Sequence, residues 1–147
     1  MKRVLGLDVG DKRIGVAVSD VLGITARGLF TLIRTNIKDD TQKIIDAAVA
    51  NDCSAVVIGL PLNLSGDDSA QTEKVRGFAK KLENKLVSNA MQGIEVILFD
   101  ERFSTVIAGQ AMIESGAKQS TVKEAIDRQA AVVILEDWLR SNPESTQ

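Results

Sequence analysis

Residues 3–19 read RVLGLDVGDKRIGVAVS, two apolar runs joined by the turn signal Gly10-Asp11-Lys12. This pattern predicts a β-hairpin. In the second run Ile14, Val16 and Val18 share one face, and Gly15, Ala17 and Ser19 the other. In the first, Leu5, Leu7 and Val9 share one face, and Val4, Gly6 and Asp8 the other. An acid inside such a strand is costly to bury unless it is paired or holds a metal. An aspartate that merely caps the following turn is the ordinary alternative. The strand alone leaves those two readings even.

Outward from the hairpin, residues 25–33 extend the meander after Gly23. Asn36 caps a helix running to about Asn51, with Ile44, Ile45, Ala48 and Val49 on its inner face. Residues 54–60 are a continuous apolar run, the mark of a strand buried on both faces, and Pro61 ends it. The loop 62–67 holds the turn formers Asn63, Ser65 and Gly66. Asp68 and Gln71 have capping-box spacing and open a helix to about Ser88. Residues 94–99 form another buried-strand run. A helix from about Ser104 to Ser115 stops at Gly116, and a last helix begins near Ser120 or Thr121 and runs to about Arg140. The order is β-β-β-α-β-α-β-α-α. It predicts an α/β fold, a mixed five-stranded sheet with helices on its faces, the later strands parallel to the first. Residues 1–140 read as one domain, and 141–147 as a polar, frayed tail.

The composition limits the chemistry. The chain has 147 residues, 44% hydrophobic and 26% charged, as expected of a globular domain. One cysteine, Cys53, rules out an internal disulfide. The absence of histidine rules out a Ser-His-Asp triad, a Cys-His pair and a His-ligated zinc. Acid–base and metal work must fall to carboxylates, lysine or water, and oxygen ligands favour hard cations such as Mg²⁺ or Mn²⁺. No apolar run reaches membrane-spanning length and Asp8 interrupts any leader-like segment, so a cytoplasmic location is expected. A net charge of −2 and 3% aromatics argue against an extended nucleic-acid surface or a stacking platform.

Acids at three places in the chain need explaining. Besides Asp8, Asp100 and Glu101 fall where the run 94–99 ends, and ligands gather at the carboxyl ends of parallel strands. A solvated loop start would explain them individually. Asp127 shares a helical face with Ala130, Ala131, Ile134 and Trp138. A pair with Lys123, in the weaker orientation, would contribute only about 0.2–0.5 kcal/mol. Such a gain does not explain an acid on an apolar stripe. Together, two carboxylates at adjacent strand ends and one from a covering helix make an all-oxygen site for divalent cations. Crowded like charges repel unless a cation neutralises them, and paired metals roughly 3.5–4 Å apart can hydrolyse a phosphodiester.

LDVGDKRIGVAVSD, GLPLNLSG, FDERFST and IDRQAAVVIL, in this order, resemble the YqgF or RuvX-like family. Its members are described as pre-16S rRNA nucleases and Holliday junction resolvases. The resemblance runs from Arg3 to about Leu139. It implies an RNase H-like fold and cleavage of a phosphodiester bond by water, with two Mg²⁺ or Mn²⁺ ions. It assigns catalysis and metal binding to Asp8, Glu101 and Asp127, with Asp8 bridging and Asp100 as second choice for the role of Glu101. Arg102, Lys12 and Arg13 become candidates for substrate phosphate, each weighed against a structural ion pair, and Asn63 shapes the crevice, more as a turn residue than a catalytic one. The implied partners are pre-rRNA or branched DNA and ribosomal particles, for a monomer or homodimer. Two departures stand out. Many relatives carry threonine where this chain has Asp11, and a denser basic run where it has Lys123-Glu124-Ala125. A nucleotide-binding domain of the actin–Hsp70–sugar-kinase type shares a similar hairpin but needs a second domain and finds no Walker A pattern. A non-catalytic RNA-binding or ribosome-assembly module is the third reading.

Overall fold

The computed structural model describes residues 2–91, 93–101 and 119–141, with side chains from residue 122 in the last segment. The expected helix 104–115, its stop at Gly116, Arg102 and the tail 142–147 lie outside the described residues. Five strands, β1 (Arg3–Val9), β2 (Arg13–Ser19), β3 (Ala26–Ile33), β4 (Cys53–Leu60) and β5 (Glu95–Asp100), form one sheet in the order β3-β2-β1-β4-β5. The described helices are α1 (Ile37–Ala50), α2 (Ala70–Ser88) and α3 (Gln119–Ser141).

β1 and β2 pair antiparallel, with Asp8 opposite Gly15 and Val9 opposite Ile14. The turn is closed by the Gly10 N–H, which donates to the Arg13 carbonyl at 2.9 Å. β4 lies parallel to β1, and β5 parallel to β4, as the helical crossovers require. One expectation needs correction. β4 lies between β1 and β5, so the strand ends bearing Asp8 and Glu101 flank β4 and do not adjoin. The β4–α2–β5 crossover steps outward, away from β1. β5 is therefore an edge strand and half-exposed, not buried on both faces.

The helix starts follow local chemistry. The Asn36 side chain accepts from the Asp39 N–H at 2.9 Å and caps α1. α2 begins one residue later than its sequence signal. Ser69 and Thr72 exchange the capping-box bonds, while Asp68 takes Arg76 in a two-point ion pair.

The sheet has two unlike faces. Leu5, Leu7, Val9, Ile14, Val16, Val18, Val56 and Ile58 meet Ile44 and Ile45 of α1 and Phe78 and Leu82 of α2. On the other face Val4, Ala17, Ala55 and Val57 meet Ala131, Ile134, Leu135 and Trp138 of α3. Helices thus cover both faces, as expected. Glycines let α3 lie close: a Cβ on Gly6 would fall 2.8 Å from the Leu135 Cβ, and one on Gly28 3.2 Å from the Arg128 Cβ.

Candidate active site

Asp8 is the last residue of β1 on the α3 face, and it has glycine on both sides. Gly15 lies opposite it in β2. Gly59 lies one step beyond the Leu7–Ile58 pair in β4. Each glycine admits another site residue. A Cβ at Gly15 would fall 1.8 Å from the Asp127 carbonyl oxygen, so only glycine lets α3 bring Asp127 down onto the hairpin. A Cβ at Gly59 would fall 2.7 Å from Oε2 of Glu101. Phe99 packs with the α3-face cluster, so alternation puts Glu101 on that face and Asp100 on the other. The Glu101 N–H also donates to the Leu60 carbonyl at 3.3 Å, which continues the β5 pairing beyond Asp100.

The charges respond to this crowding. Burial, then the Asp127 carboxylate, pushes Asp8 up to about 6. Burial, then the charges of Asp8 and Asp100, pushes Glu101 up to about 7. No cation among the described residues offsets either acid. Two carboxylates pushed upward with no counter-ion among the described residues, on either side of a strand whose Gly59 admits the Glu101 carboxylate, fit a divalent cation. Among the described residues, no three acids stand close enough together to enclose one. Asp127 is instead engaged by Arg13, Nε to Oδ2 at 2.7 Å.

The remaining sequence candidates separate clearly. Arg13 lies beside the acids, in a long-range ion pair with Asp127. Lys12 is exposed at the hairpin tip, where its carbonyl accepts from the Arg34 N–H at 2.9 Å. Asn63 is exposed, and its backbone closes the loop through Asp67 and Gly66. Asp100 acts on the site by raising Glu101. Asp11 neither points at the acids nor joins them. It pairs with Lys74 of α2 at 3.3 Å, both side chains 60% exposed.

Residues beyond those candidates hold the site in shape. The Arg34 Nη1 donates to the Gly10 carbonyl at 2.8 Å, its Nε to buried Asp40 at 3.2 Å, and its guanidinium lies 5.4 Å over the Phe78 ring. Gln71 Nε2 donates to the Val9 carbonyl at 3.3 Å. These bonds anchor the turn directly after Asp8. Thr31 Oγ1 donates to the Glu124 carbonyl at 2.7 Å and ties the start of α3 to β3. Glycine within strands was the available signal for Gly15 and Gly59. Arg34 leaves none, because the Gly10 carbonyl it anchors lies 24 residues away in sequence.

Comparison with known proteins bears on the family and the fold. The family described as "RuvX: Holliday junction resolvase" matches residues 2–141. A protein of Myxococcus xanthus is 42% identical over 137 residues, covering 93% of this chain and 87% of the relative. One of Koribacter versatilis is 44% identical over 137 residues, covering 93% and 86%. Both are named "Putative pre-16S rRNA nuclease". Among solved structures, Thermus thermophilus RuvC bound to a Holliday junction superposes with a TM-score of 0.57 at 14% identity, covering 99% of this chain and 98% of that one. The yeast mitochondrial resolvase Ydc2 gives 0.58 at 12% identity, covering 95% and 78%. At that identity the likeness establishes the RNase H-like fold.

Proposed function

The chain belongs to the RuvX family of phosphodiester-cleaving nucleases, and from that premise we propose that it processes the 5′ end of pre-16S rRNA with a divalent cation held by Asp8, Glu101 and Asp127. The observation that carries this reading is the placement of Asp8 and Glu101. Both lie on one face, at one end of the sheet, around Gly59, raised and without a counter-ion among the described residues. Asp127 is brought to the same place by α3 over Gly15.

Mg²⁺ or Mn²⁺, as one ion or a pair, would supply a water activated for attack and a charge to stabilise the leaving oxygen. Asp8, flanked by glycines, would be the central carboxylate holding the cation. Glu101 and Asp127 would add oxygen donors from either side. The acids must be ionised to hold a cation, so loading strengthens as pH rises through about 6 to 7. Arg13, partly exposed beside the acids, is the cation placed to receive a substrate phosphate. Exposed Lys12 extends that charge along the hairpin tip. Arg34 and Gln71 keep the turn in place behind them. No described helix is long and apolar enough to cross a membrane, and the reading puts the protein in the cytoplasm beside ribosomal particles.

The test is cleavage of a pre-16S rRNA fragment and of a four-way DNA junction, with Mg²⁺ or Mn²⁺ and in EDTA. The rRNA fragment should be cut in either metal and not in EDTA. Asp8→Asn, Glu101→Gln and Asp127→Asn should each lose more than the roughly 100-fold seen when a metal ligand's supporting partner is removed. Cutting confined to the DNA junction would replace rRNA processing with junction resolution. Wild-type rates from Asp8→Asn would overturn the site. Binding of RNA without cleavage by any form would favour an assembly module.

A further inference from the structure

Asp127 differs from the other two acids in one respect. It already has a cation. Arg13 Nε sits 2.7 Å from its Oδ2, from a residue 114 positions away. The side chains are 28% and 19% exposed, so the pair is partly shielded from water. Both ends are held. Arg13 opens β2 opposite Ile33 and accepts the Gly10 N–H that closes the hairpin. Asp127 sits on the turn of α3 pressed against Gly15. A carboxylate engaged by a guanidinium has fewer lone pairs, and less charge, to offer a metal. The three acids lie at one end of the sheet without forming a closed group among the described residues.

We propose that Arg13 is a lock on the metal site: in the free protein it holds Asp127 by their ion pair, and the carboxylate must leave Arg13 before it can complete the cation shell. The inference rests on the assignment of Asp8, Glu101 and Asp127 as the cation ligands. Its consequence is regulatory. Arg13 competes with the divalent cation for one oxygen donor, so anything that takes over the guanidinium favours loading. A phosphodiester is the substrate group with the charge and geometry to do so. Cation and substrate then favour one another, since coupling of this kind is reciprocal. The nuclease is restrained until nucleic acid arrives. Arg13 acts here as a positioning residue, through Asp127.

The test is Mn²⁺ binding by the full chain without nucleic acid, followed by the electron paramagnetic resonance of free Mn²⁺. Arg13→Gln should bind Mn²⁺ tighter than wild type, on the order of tenfold. Removing any positive charge near the acids helps a cation, so Lys12→Gln serves as the control. It deletes the neighbouring charge while leaving the pair intact, and should change affinity much less. In an Asp127→Asn background, Arg13→Gln should have no more effect than Lys12→Gln, because the pair is already gone. Equal affinities for Arg13→Gln and Lys12→Gln, or the same gain with Asp127 removed, would overturn the lock and leave the metal site standing. Mn²⁺ binding by wild type that Asp8→Asn does not weaken would overturn the metal site, and the lock with it.

Discussion

On the face covered by α1 and α2, the sheet offers Leu5, Leu7, Ile14, Val16 and Ile58, and the helices answer with Ile44, Ile45, Phe78 and Leu82. On the face covered by α3, it offers Gly6, Gly15, Ala17, Ala55 and Gly59, and the acids stand at its end. Branched and aromatic side chains hold the first pair of layers apart and bury much apolar area. Small residues bring the second pair together, so that a helix backbone rests on the strands. A helix held at ordinary distance by large side chains would leave Asp127 too far from Asp8 to matter. The thick face keeps the fold, and the thin face brings three charges into one place. The energetic result follows. The first face stabilises the protein, and the end of the second costs it stability to hold like charges together.

Truncating the thick face should cost the most. Leu82 is fully buried there, on the far side of the sheet from the acids. Leu82→Ala should lose about 2–5 kcal/mol of unfolding free energy in urea titration. Cleavage per folded molecule should stay at the wild-type rate. A loss of rate that outlasts correction for the folded fraction would show that the two faces are not separable.

The acids should do the opposite. Asp8 at about 6 and Glu101 at about 7 lie above their unfolded values of 3.8 and 4.5. Between those limits the folded chain binds more protons than the unfolded one. Stability of the cation-free protein therefore falls as pH rises from about 4 to about 7, and levels off above. Each displacement corresponds to about 3 kcal/mol at most. Asp8→Asn should be as stable as wild type near pH 4, more stable at pH 8, and inactive. Mg²⁺ at pH 8 should stabilise wild type and not the variant. A wild type that gains stability from pH 4 to 8 without cation would sink this account of the site.

Two glycines sharpen the contrast further. Gly15→Ala drives a methyl into the Asp127 carbonyl, at a distance no side chain can relieve. It should cost about 1–3 kcal/mol or more and weaken Mn²⁺ binding, as α3 lifts away. Gly77, within α2, has open space where its Cβ would stand. Gly77→Ala should stabilise by about 0.5–1 kcal/mol and leave cleavage alone. Thermal melts of the two variants, read beside their Mn²⁺ affinities, distinguish a packing effect from an effect on the site.

The thick face was the more legible in sequence. The apolar run 3–9, the turn at Gly10 and the alternation in 13–19 marked both strands of the hairpin with their bounds, and Asn36 and Asn51 marked the ends of α1. These signals are local, so one stretch of chain carries them whole. Asp8 and Asp127 also stood out locally, as charges on apolar faces. What escaped was pairwise and distant. Nothing near Arg13 announces Asp127, nothing near Arg34 announces Gly10, and nothing in residues 94–101 says that β4 will stand between Glu101 and Asp8. Such facts depend on crossovers and packing, and appear only when the chain is closed.

Asp11 supplies the smallest effect and the sharpest boundary of the site. From sequence it is a further acid three residues after Asp8, able to repel substrate or join the metals. In the fold it reaches away to Lys74, and both side chains are mostly in water. Exposed pairs of this kind contribute little, because solvent screens the attraction and two long side chains must be held in one geometry. Asp11→Thr should thus shift unfolding free energy by no more than about 0.5 kcal/mol. It should leave Mn²⁺ affinity unchanged, since Asp11 does not act on Asp8 or Glu101. Removing an acid from the hairpin tip still favours an incoming polyanion at long range, so RNA affinity should rise slightly at low salt, and the rise should vanish as salt is added. A drop in Mn²⁺ affinity would instead move Asp11 from the rim into the metal shell, and the boundary drawn at Asp8 would have to be redrawn around the turn.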